Sequence, residues 1–75
     1  MQHYKNLGGD SGIEAYEYGQ DYIIVQFKNG TIRNYKYTYA SAGSSVIEIM
    51  KQLADQGHGL NSYIGTNKPA YASKW

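Results

Sequence analysis

The sequence of 75 residues contains no cysteine. That absence excludes a disulfide framework, a thiolate zinc site and a cysteine nucleophile, and it favours a reducing compartment. No apolar run approaches the roughly 18 residues that span a bilayer, and the opening stretch MQHYKNLGGD lacks the basic start and apolar run of a signal peptide. We therefore expect a soluble, cytoplasmic protein that does not enter a membrane.

Charge is also sparse, because seven Lys and Arg residues against six Asp and Glu residues leave a net charge of +1. This balance indicates no particular partner, but the charges are unevenly distributed. The segments 22–39 and 58–75 contain basic residues and no acid. With a single arginine in the chain, we expect a modest basic patch on one face. The basic residues of these two segments are Lys28, Arg33, Lys36, Lys68 and Lys74.

Chain length limits the protein to a single small domain, since a chain of this size buries only about 60% of its unfolded surface. Along it we predict an irregular arm over 1–11, three strands within 12–39, a helix over 45–57, and a short docking segment and tail over 58–75. The tail has glycines and the only proline, Pro69, which disfavour regular structure.

Three runs rich in β-branched and aromatic residues predict the strands: GIEAYEY, YIIVQFK and TIRNYKYTY. Asn29-Gly30 lies between the second and third runs and predicts a hairpin with a type I′ turn, which needs positive φ at both central residues. Gly19-Gln20-Asp21 predicts an earlier, longer hairpin loop.

The two-residue period of a strand assigns side chains to the two sheet faces, if the first loop has three residues. Tyr35 and Tyr37 have two alternatives: they lie on the solvent face if the third strand is regular, and they turn inward if a bulge occurs near Arg33 or Asn34. The predicted core face carries Ile13, Ala15, Ile23, Val25, Phe27 and Ile32. The opposite face is predicted to carry Tyr16, Tyr18, Tyr22, Ile24 and Arg33.

Ser45-Val46-Ile47-Glu48 fits a capping box and predicts the start of a helix that Gly57 ends. Within it an apolar stripe recurs at helical spacing. The sequence therefore predicts an α+β fold, a three-stranded antiparallel β-meander packed against one main C-terminal α-helix, with a short further element or tail. The stripe consists of Val46, Ile49, Met50 and Leu53, widened by Ile47 and Ala54, and the docking residues after the helix are Leu60, Tyr63 and Ile64.

With these elements assembled, the chain resembles the KTSC family. This short domain is named for its occurrence at the C-terminus of some lysyl-tRNA synthetases and also occurs as a small free-standing bacterial or phage protein. The resemblance covers residues 12–75. It rests on the strand that ends in Phe27 before Asn29-Gly30, on the pair Tyr35 and Tyr37, and on the stretch Gly59, Leu60, Asn61, Tyr63 and Ile64.

The family's function is not established, and RNA binding is what the synthetase context suggests. Tyrosine rings on a sheet can stack bases while neighbouring cations neutralise phosphates, so a non-enzymatic RNA-binding module is our first hypothesis. The alternative is a protein-interaction or self-association domain whose exposed tyrosines pack on another chain or on a second copy. The candidate nucleic-acid-binding residues are Lys28, Arg33, Tyr35, Lys36, Tyr37 and Lys68.

We expect no catalytic residue, metal site or cofactor. His3 and His58 are isolated from each other and from carboxylates, the serines have no recognisable base beside them, and Gly57-His58-Gly59 follows a helix instead of opening one, unlike a phosphate loop. Asn61 either holds a turn through local backbone bonds or faces a ligand together with His58 and Lys68.

Overall fold

A computed structural model describes residues 1–9 and 11–75, and within them five antiparallel strands form one sheet in the order β1-β2-β3-β4-β5. Three helices lie in the second half of the chain. The elements are β1 (Gln2–His3), β2 (Ile13–Tyr18), β3 (Tyr22–Phe27), β4 (Asn34–Thr38), α1 (Tyr39–Ala42), α2 (Ser44–Gln56), α3 (Leu60–Asn67) and β5 (Ser73–Lys74).

The α+β architecture and the β2–β3–β4 meander agree with the sequence prediction, but three strands and one main helix were too few. β1 pairs with β2 through Gln2 and Tyr16, and β5 pairs with β4 through Ser73 and Lys36. Two-residue strands contain too few positions to show an alternating pattern, so only their partners reveal them. The tail 58–75 likewise contains a helix of eight residues, α3.

A bulge in β2 changes which residues face the core. Ile13 pairs with Phe27, the register shifts between Ile13 and Ala15, and Tyr16 then pairs with Val25. Because directly paired residues share a sheet face, Tyr16 and Tyr18 lie on the core face, and the prediction that placed Ala15 there and the two tyrosines outside was wrong. Of the other predicted core residues, Ile13, Ile23 and Val25 are fully buried, Phe27 is partly buried and Ile32 is exposed.

The second hairpin is confirmed, although its turn is not the predicted one. β3 ends at Phe27 and β4 begins at Asn34, so the loop spans 28–33, and the Phe27 N–H donates to the Arg33 carbonyl at 2.8 Å. Gly30 has φ +107°, whereas Asn29 does not have a positive φ, which excludes a type I′ turn.

This longer loop turns the two tyrosines of β4 inward. Tyr35 pairs with Val25 and Tyr37 with Ile23, both on the core face, and Tyr37 is only 3% exposed. The inward alternative therefore holds, with the irregularity in the loop before Asn34.

The start of α2 differs from the prediction, whereas its end agrees with it. Thr38 caps α1: its hydroxyl accepts from the Ser41 N–H and the Ser41 hydroxyl accepts from the Thr38 N–H, both at 3.0 Å. α2 begins one residue before Ser45, with Gly43 as its N-cap and no side-chain cap, so the predicted capping box at Ser45 was wrong. Gly57 ends α2 at φ +73°, as predicted.

The core lies between the sheet and the helices. Tyr4, which follows β1, is 1% exposed, and its hydroxyl accepts from the Leu60 N–H at 3.4 Å. The N-terminal segment therefore contributes to the core instead of extending as an arm. From the helices the core takes Ile47, Met50, Ala54 and Leu60, whereas Ile49 of the predicted stripe is exposed.

The other sheet face is not covered by the helices. Ala15 and Ile24 lie on it, outside the core cluster, and the Lys36 ammonium lies 4.8 Å from the centre of the Tyr22 ring. None of the helices in the described residues is both long and apolar enough to cross a bilayer.

Candidate nucleic-acid interface

A groove of about 420 Å³ opens at the end of the sheet where β3 meets the 28–33 loop. The loop, β3, β4 and α3 all contribute to its lining, together with Gly12. Most of its lining is apolar or aromatic, which is typical of small-ligand pockets. The lining residues are Gly12, Phe27, Asn29, Ile32, Tyr35, Tyr37 and Ile64.

Aromatic rings in edge-to-face contact build one side of the groove. The Phe27 and Tyr35 ring centres are 5.6 Å apart at 88°, and those of Tyr35 and Tyr71 are 5.3 Å apart at 82°. Such T-shaped pairs add about 0.5–1.5 kcal/mol each beyond the area that they bury. They hold the Tyr35 ring between two neighbours, so the groove wall is already formed in the unbound protein.

Tyr37 contributes a polar hydroxyl to this largely apolar groove. This hydroxyl makes no hydrogen bond to any described residue, yet no fully buried side-chain oxygen or nitrogen of the described chain lacks a partner. The small exposed part of Tyr37 must therefore include its hydroxyl, and the residue lines the groove. Burial, and then the nearby Tyr35 and Tyr71 hydroxyls, raise the pKa of Tyr37 to about 12, so the phenol is neutral at physiological pH.

Backbone pairing of the C-terminal segment with β4 brings two distant parts of the sequence together. The Trp75 N–H donates to the Asn34 carbonyl at 3.0 Å, and the Trp75 carbonyl accepts from the Asn34 and Arg33 N–H groups at 2.9 and 3.1 Å. The Trp75 side chain is 52% exposed and that of Tyr71 is 44% exposed. Sequence reasoning missed both aromatics, and the only signal for them was the acid-free composition of the tail.

Basic side chains surround the groove end. Lys28 and Arg33 are exposed in the loop, and Lys68 follows the last turn of α3. Lys74 lies beside Tyr35 on β5, and the Tyr71 hydroxyl near its ammonium raises the pKa of Lys74. The two stretches of sequence to which these cations belong, 22–47 and 56–75, contain no Asp or Glu.

The six predicted binding residues are not all brought together. Lys28, Arg33 and Lys68 are exposed cations, and Tyr35 and Tyr37 line the groove below the loop. Lys36 points to the opposite sheet face, since it pairs with Ile24 and contacts Tyr22. The tyrosines therefore do not form an open stacking platform on the sheet surface.

The residues of the GLNSYI stretch have structural roles. Gly59 is the N-cap of α3 at φ +89°, Leu60 is fully buried, and Tyr63 and Ile64 pack against the core. Asn61 is exposed and lines a separate polar cavity of about 200 Å³ with His58 and Ser62, at a different place from Lys68.

A cluster of tyrosines, carboxylates and a lysine lies at the other end of the sheet. Lys51 donates to Glu48 Oε2 at 2.9 Å and to the Gln20 carbonyl at 2.8 Å, and the Tyr39 hydroxyl donates to the same Glu48 oxygen at 2.6 Å. The Tyr39 hydroxyl and then Lys51 lower the pKa of Glu48. These bonds link α2 to the first hairpin loop and to α1, which is a structural role.

No three His, Asp or Glu side chains of the described residues lie close enough together to hold a metal ion. Comparisons with family models, with curated proteins and with solved structures found no match to this chain. The resemblance to the KTSC family stays a prediction.

Proposed function

We propose that this protein is a small non-enzymatic module that binds RNA at the basic end of its sheet, the function that the likeness to the KTSC family suggests. One observation carries the proposal: pairing of β4 with β5 joins the two acid-free segments of the chain. Five of the seven Lys and Arg residues belong to these segments, and four of them, all except Lys36, lie around or beside the groove.

A cluster of exposed cations favours a polyanion through release of its counterions. Four phosphate contacts on a single strand would give a slope of about −3 for the logarithm of affinity against the logarithm of salt concentration. Because only one of the cations is an arginine, bidentate phosphate contacts are few and the affinity should be modest.

Charge reversal in the loop tests the proposal. Lys28→Glu/Arg33→Glu changes two exposed side chains of the groove end, and Lys5→Glu/Lys36→Glu changes the net charge equally elsewhere. We expect the first double variant to weaken binding of a short RNA and to flatten its salt dependence, while the control keeps most of both. Equal losses in the two variants would mean that net charge alone drives binding and would refute this site.

Exposed apolar side chains beside the groove favour a second candidate function, protein interaction or self-association. Ile32 is 43% exposed and Trp75 is 52% exposed. Sedimentation at increasing protein concentration tests self-association: a concentration-dependent dimer that Ile32→Ser abolishes would support it, and a monomer throughout would exclude it.

A further inference from the structure

The groove differs from a uniformly basic surface in having apolar side chains along its lining and a polar hydroxyl among them. Ile32, Ile64 and Tyr37 line it, and the Tyr37 hydroxyl makes no hydrogen bond to any described residue although only 3% of Tyr37 is exposed. An apolar side chain of a protein partner would contact the apolar lining but leave that hydroxyl without a hydrogen bond, which is unfavourable for a buried polar group.

A nucleobase matches both features. Its faces are apolar and contact aromatic and aliphatic side chains, while its edges carry hydrogen-bond donors and acceptors. The Asn29 amide, in the loop above, offers a donor and an acceptor to the same base edge. The cations Lys28 and Arg33 are then placed for the flanking phosphates.

From these observations we infer that the groove binds one unpaired nucleobase, with the Tyr37 hydroxyl at its edge, so that the protein selects single-stranded over double-stranded RNA. The inference rests on the proposed function and specifies its ligand. In a duplex each base is stacked on both faces and paired along its edge, so it cannot enter a groove without unpairing.

A competition between two forms of one RNA tests this inference. The probe is a short fluorescein-labelled single strand, followed by anisotropy, and its competitors are the same unlabelled strand and that strand annealed to its complement. We expect the single strand to compete about tenfold or more better than the duplex, since only an unpaired base can contact the aromatic side chains of the groove.

Tyr37→Phe tests the contribution of the hydroxyl alone, because it removes that group and keeps the ring that packs in the core. We expect it to weaken single-strand binding about three- to tenfold, the effect of one net hydrogen bond, and to leave duplex binding unchanged. Tyr22→Phe, on the opposite sheet face, is the matched control and should bind as the wild type does.

The outcomes separate the two proposals. Equal affinity for single strand and duplex, or wild-type binding by Tyr37→Phe, would overturn the base-binding groove while leaving RNA binding intact. Binding of neither RNA form would overturn both.

Discussion

The Tyr16 hydroxyl donates a 2.8 Å hydrogen bond to Asp55 Oδ1 and so joins β2 to the last turn of α2. The Tyr18 hydroxyl donates to the other oxygen of the same carboxylate at 2.6 Å, and the two rings stack with centres 6.2 Å apart. Tyr18 pairs with Ile23 at the end of β3 that is remote from the groove. These two bonds, from Tyr16 and Tyr18 to Asp55, form a clamp that holds α2 on the sheet and includes no groove residue.

Loss of the clamp should destabilise the fold. We expect Asp55→Ala to lower the free energy of unfolding by about 1–2 kcal/mol, because it removes two hydrogen bonds to a charged group that is partly screened by solvent. Urea denaturation measures the change, with Gln52→Ala on the exposed side of α2 as the control. If Asp55→Ala is as stable as Gln52→Ala, the two hydrogen bonds to Asp55 contribute nothing measurable to stability.

Alanine substitutions at two glycines should change stability in opposite directions. Gly57 has φ +73°, and an added Cβ would overlap the Lys5 side chain, so Gly57→Ala should cost about 1–2 kcal/mol or more. Gly65 lies inside α3 with open space around it, so Gly65→Ala should stabilise by about 0.5–1 kcal/mol. Thermal unfolding of both variants checks the signs, and a stabilising Gly57→Ala would contradict the left-handed C-cap.

Stability should fall in alkaline solution. Burial, together with the bond to Asp55 in the case of Tyr16, raises the pKa of Tyr16 and of Tyr37 from 10.0 to about 12. The folded protein thus holds these protons more tightly than the unfolded chain, so their contribution is fully present below pH 10 and is lost as the pH rises toward 12. Urea midpoints across this range should decline less steeply in Tyr37→Phe than in the wild type, and parallel curves would show that Tyr37 titrates normally.

The parts of the fold that the sequence predicted are those with strong local signals. Alternating apolar and aromatic residues marked β2, β3 and β4, and helical spacing with a glycine stop marked α2. The terminal strands could not be found, because two residues carry no period and their pairing depends on a sheet already formed.

Face assignment failed at β2 for a different reason. One extra residue between Ile13 and Ala15 reverses every side chain that follows it, and no residue type in that stretch marks the bulge. At β4 the sequence allows two face assignments, and the length of the 28–33 loop decides between them.

The groove itself could be predicted only in part. Its basic loop and its tyrosines were identified from composition and spacing, whereas its wall on α3 and the exposed Trp75 depend on how the C-terminal segment folds back. Lys36 was grouped with Arg33 by sequence proximity, although strand geometry places it on the other face.

The most direct test of the proposed site is a ¹H–¹⁵N NMR titration of the labelled protein with a short single-stranded RNA. The account predicts that amide signals of residues 27–37 and of 64–75 shift together and saturably, while those of Glu17 and Asp55 stay in place. The absence of any shift, or shifts confined to the Asp55 end of the sheet, would contradict it.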